Sequence, residues 1–95
     1  MRTIKKIEVL SVFVEFIPDE LIQNEIYISK EYGTAVHLCL CGCGEKSIMP
    51  LNPKFNLSWN LIENDNKVSF TPSILNTNCP NKYHYVITNN VANIL

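Results

Sequence analysis

The sequence has no basic stripe. Its 8 lysines and arginines stand against 9 aspartates and glutamates, and Lys5, Lys6, Lys30, Lys46, Lys54, Lys67 and Lys82 are scattered along it. A protein that grips nucleic acid through its phosphates gathers such cations on one face, so that class of partner is set aside. There is also no apolar run near the roughly 20 residues that a membrane-spanning helix needs, which argues against a membrane partner. The opening MRTIKKIEVLSVFVEFIPDE has the basic start and apolar stretch of an export signal. Glu8 and Glu15 interrupt it, however, and no small-residue cleavage site follows. It reads as a strand, and the expected compartment is the cytoplasm. Repeats, linkers, low-complexity tracts and convincing long helices are absent as well.

What is present is short and β-prone. A chain of 95 residues has room for one core, which sets a single zinc-binding domain over 1–95 as the expectation. At that length it buries only about 60 to 65% of the surface its unfolded form exposes, so a covalent or metal staple is valuable. Ile4 to Ile17, rich in Val, Ile and Phe, predicts a first strand ended by Pro18 and Asp19. DELIQ, 19–23, has the makings of one helical turn before a second strand in NEIYIS, 24–29. From Gly33 the alternation puts Val36, Leu38 and Leu40 on one face and His37, Cys39 and Cys41 on the other. Met49, Pro50, Leu51 and Pro53 exclude helix in the next stretch. Hairpins follow: LSWNLI with KVSF about the turn ENDN, then Tyr83–Ile87 turning at Thr88, Asn89 and Asn90 into VANIL. Six or seven strands predict a small, mostly β domain of short antiparallel strands and hairpins, stabilised by one zinc knuckle.

The knuckle is HLCLCGCGEK, His37–Lys46, which holds three of the four cysteines. Disulfides suit it poorly, because cysteines two apart close only a strained ring and reduced thiols are the rule in the cytoplasm. Zinc held by thiolates at about 2.3 Å brings sulfurs to about 3.8 Å from each other, whereas a flat strand keeps residues i and i+2 about 6.6 Å apart. The chain must curl, and Gly42 and Gly44 permit it. Cys39, Cys41 and Cys43, closed by Cys79 in its Cys-Pro turn, form the first candidate ligand set. His84, five residues after Cys79, offers a Cys3His alternative, and His37 is less favoured. A closed four-thiolate site is structural, whereas Cys41, Cys43, Cys79 and His84, or a three-ligand version with water, would leave Glu45 nearby as general base for a catalytic zinc.

The run YGTAVHLCLCGCGEKSIMPL, then Trp59, VSFTPSI and the Cys79–Ile87 segment, resembles a small bacterial family of unknown function. That family has an H-x-C-x-C-G-C-G motif, a P-S-I strand and a C-x-x-H-aromatic ending. The likeness covers roughly residues 25 to 90, with four residues rather than two between Cys79 and His84. It implies association with bacterial ubiquitin-like modification systems. The implied partners are a ubiquitin-like modifier and its activating and conjugating enzymes.

Such a system needs a peptidase to trim or remove its modifier, and the family pattern leaves Ser73 and His84 as a nucleophile and base. Glu45 and His37 stand as candidates for a third member. Pro72 fixes the backbone ahead of Ser73. The rival is a non-catalytic zinc-stabilised adaptor that holds the modifier's tail along a sheet edge, using aromatic residues among Tyr27, Tyr32, Trp59, Tyr83 and Tyr85. A redox switch is weaker, since no C-x-x-C pair is present.

Overall fold

The computed structural model describes residues 5–51, 54, 58–76 and 79–95, and these contain strands and turns without a helix. None of the described elements is a helix long and apolar enough to cross a membrane. Two sheets share the strands. One is antiparallel throughout, in the order β1 (Lys5–Glu8), β9 (Val91–Ile94), β8 (His84–Thr88), β7 (Lys67–Leu75) and β6 (Asn60–Asn64). The other runs β2 (Leu10–Phe13), β3 (Glu25–Ser29), β4 (Thr34–Leu38) and β5 (Lys46–Pro50).

The mostly β expectation holds, with corrections to its parts. The first strand is two strands in different sheets, divided at Val9, which is buried. Val9 donates its N–H to Asn90 on the larger sheet, and Leu10 donates to Asn24 on the smaller, so the chain changes sheets within two residues. Pairing is not wholly antiparallel either, because β2 lies parallel to β3. The DELIQ segment bends without forming a helical turn. Five residues are too few to repay helix nucleation, and the Ile22 N–H goes to the Tyr27 hydroxyl instead. The start of the first strand at Ile4, the second proline of the pair, Pro53, and the start of the LSWNLI segment at Leu57 lie outside the described residues.

Ile26, Ile28, Ala35 and Met49 from the smaller sheet meet Val68, Phe70, Ile74, Tyr85, Ile87 and Ala92 from the larger in one buried cluster. Alternation is weak in β3 and β4 because both faces of these strands are covered: Tyr27, Ser29, Val36 and His37 are buried too. β7 is an interior strand, and it carries a proline. Pro72 offers no N–H to the ladder, and the register of β7 on β8 shifts between Phe70 and Ile74, which is where interior prolines are tolerated. Ser73 sits on that irregularity.

Candidate active site and metal centre

Ser73 and His84 come together. The serine Oγ lies 2.7 Å from Nε2 of His84, both side chains being half-buried. The register explains the meeting, since Leu75 pairs with His84 across β7 and β8, two residues from Ser73 and therefore on the same face. His84 opens β8, and its neighbour Tyr85 points the opposite way into the core. The indole of Trp59 donates to the Ser73 carbonyl oxygen at 3.4 Å, which holds the bulged backbone from the other side. A serine hydroxyl within hydrogen-bonding reach of an imidazole is the geometry in which histidine can take its proton.

Among the described residues, no carboxylate hydrogen-bonds the His84 ring. Glu45 is exposed on the cysteine loop, where its carbonyl accepts from the Cys39 N–H at 2.7 Å. His37 is fully buried and bonds Tyr85 rather than His84.

The four cysteines converge. Sγ atoms of Cys39, Cys41, Cys43 and Cys79 all lie within 4.8 Å of one another; Cys39 and Cys41 are 3.5 Å apart, and Cys41 and Cys79 3.1 Å. They are free thiols, with Cys39 and Cys79 buried and Cys43 exposed. The strand ends at Leu38, so Cys39 onward is a tight loop: Gly42 donates to the Cys39 carbonyl, and Gly42 and Gly44 take φ values of 89° and 86°. Those angles suit glycine, and the loop tip lets three sulfurs face one point. Cys79 approaches from the turn after β7, its N–H bonded to the Asn76 carbonyl. The spacing is close to the sulfur separation of a tetrahedral thiolate site, about 3.8 Å, and the cluster could hold a metal ion. Neither His84 nor His37 belongs to it.

The electrostatics of the cluster suit a shared cation. Burial raises the Cys39 thiol to about 12. Burial acts upward on Cys79 as well, but the N–H groups of Tyr83 and Asn81 and the thiols of Cys41 and Cys39 donate to its sulfur and bring it down to about 6.

A buried polar group lies between the two sites. The Tyr85 hydroxyl is 2.6 Å from Nε2 of His37 and accepts from the Asn76 side-chain amide at 3.1 Å. The other ring nitrogen of His37, Nδ1, is buried without a hydrogen-bond partner. Both groups are neutral: burial lowers His37 to about 4 and raises Tyr85 above its usual range. Asn76 is the residue that sequence reasoning missed. Nothing in its spacing separates it from an ordinary turn asparagine, and its amide reaches Tyr85 only because β7 and β8 pair as they do.

A family model described as "Bacterial ubiquitination-like system serine protease (BubE)" matches residues 13–95. No curated protein and no solved structure matches the chain.

Proposed function

Because the chain belongs to the bacterial ubiquitination-like system serine protease family, we propose that it is a serine peptidase of such a system, with Ser73 as nucleophile and His84 as its base. The observation that carries this reading is the 2.7 Å approach of Ser73 Oγ to His84 Nε2. In the reaction, Ser73 Oγ attacks the carbonyl carbon of an amide or isopeptide bond while its proton passes to His84. His84 then returns that proton to the departing amine, leaving an acyl-serine. Water, deprotonated by the same imidazole, releases the acid and restores Ser73. The substrate is the tail of a ubiquitin-like modifier, in its precursor or joined to a target. The modifier and the enzymes that activate and conjugate it are the partners.

The four thiols suit zinc. Cys39, Cys41, Cys43 and Cys79 would hold it with no position left for water, so its contribution is to shape rather than to bond cleavage. This leaves the hydrolysis to Ser73 and His84 and gives Glu45 no zinc-bound water to deprotonate.

Replacing Ser73 with alanine is the test. Cleavage of the modifier precursor should fall about 10³-fold or more, while zinc content and the unfolding midpoint stay at wild-type values. A variant that cleaves like the wild type would contradict the assignment. A wild type that binds the modifier without cutting it would favour the adaptor reading.

A further inference from the structure

Two candidate sites of different chemistry lie at the same end of the β7–β8 pair, and one residue touches the structure around both. Asn76 follows β7, three residues beyond Ser73. Its N–H donates to the Tyr83 carbonyl at 3.1 Å, and its own carbonyl accepts from the Cys79 N–H at 3.1 Å. Its side-chain amide donates to the Tyr85 hydroxyl at 3.1 Å and acts to lower the Cys39 thiol. The side chain thus serves the phenol, and the backbone carbonyl serves the cysteine turn.

We infer that Asn76 is a positioning residue that couples metal binding by the four cysteines to the alignment of Ser73 with His84. The inference rests on the peptidase reading above and names what governs that site. The physical link is short. Tyr85 is locked in rotation by Asn76 on one side and His37 on the other. Because successive side chains alternate across a strand, fixing Tyr85 inward fixes His84 toward Ser73. The same asparagine joins Tyr83 to the Cys79 turn through its backbone, so movement of the sulfurs reaches both residues that flank His84. A dyad is sensitive to such movement, since a misplacement of about 1 Å can cost about 100-fold in rate. Partners that hydrogen-bond metal ligands also govern metal affinity, commonly by about 10- to 100-fold.

The experiment separates these two effects. Asn76→Asp keeps the shape, removes both amide protons and sets a carboxylate against the thiolates. Zinc affinity is measured by chelator competition, and dyad reactivity by the rate at which a fluorophosphonate labels Ser73, read by mass spectrometry with zinc saturating. The expected result is zinc binding weakened about 10- to 100-fold and Ser73 labelling slowed at least about tenfold even when zinc is restored. Tyr85→Phe serves where Asn76→Asp does not fold. It leaves Asn76 and its backbone bond to Cys79 intact, so zinc affinity should stay within about threefold while labelling still slows. Labelling that recovers fully at saturating zinc, or that is unchanged in the folded variants, would overturn the coupling. A wild type in which Ser73 neither labels nor cleaves would remove the peptidase reading itself, a different result from equal labelling in wild type and variants.

Discussion

Ser73 owes its place to the residue before it. A serine after proline most often bonds its own backbone in a turn, and in the sequence only the family resemblance raises Ser73 above that. What changes its chemistry is a partner eleven residues away, at 2.7 Å. The four cysteines present the opposite case. Their spacing, with two glycines interleaved, already encodes a loop that curls about one point, and Cys79 is the one cysteine left to close it. Cys79→Ser should therefore lose the metal and, with it, most of the stability. In urea denaturation the midpoint should collapse or the folded baseline vanish, because a structural ligand contributes to folding outright. An unchanged midpoint would show that the sulfurs hold nothing of consequence. His37, by contrast, reads in the sequence as a strand histidine with weak claims as ligand or third member, and Tyr85 as one of several aromatics; their bond depends on which strands face each other.

Among the elements, the hairpins were the most legible and the sheet assignment the least. The ENDN turn and the Asn89–Asn90 turn both close two-residue connections with positive φ: 50° and 66° at Asp65 and Asn66, 48° and 65° at Asn89 and Asn90. Asparagine and aspartate tolerate that region, so the turns form without an Asn-Gly pair. The division of the first strand at Val9 was invisible because it depends on the remote Asn90, not on any local breaker. Asn90 deserves its own test. Its side-chain carbonyl accepts from the buried Val68 N–H at 2.7 Å, its amide reaches Ser11 on β2, and its backbone carbonyl holds Val9. Asn90→Ala leaves a buried N–H unpaired, at about 1–3 kcal/mol, and forces alanine into the left-handed region, at about 1–2 kcal/mol. Urea denaturation should show a loss of about 2–5 kcal/mol, with Asn90→Asp losing less. A loss under about 0.5 kcal/mol would mean that the turn is not what ties the sheets together.

The whole molecule is a small core with four clustered thiols, able to hold a metal ion, at the end of the strands that bring Ser73 to His84. Structural zinc contributes on the order of 10 kcal/mol in isolated knuckle peptides, comparable with the entire 5–15 kcal/mol typical of a folded domain. Chelation at neutral pH should accordingly unfold the protein cooperatively, followed by the fluorescence of Trp59, and a melting curve indifferent to chelator would contradict that. The most direct test of the central claim is made on three purified proteins at once: wild type, Ser73→Ala and His84→Ala. Each is assayed for zinc content and for cleavage of the modifier precursor. The account predicts one zinc per chain in all three, with cleavage only by the wild type. Cleavage by Ser73→Ala at the wild-type rate, or zinc lost together with His84, would contradict it.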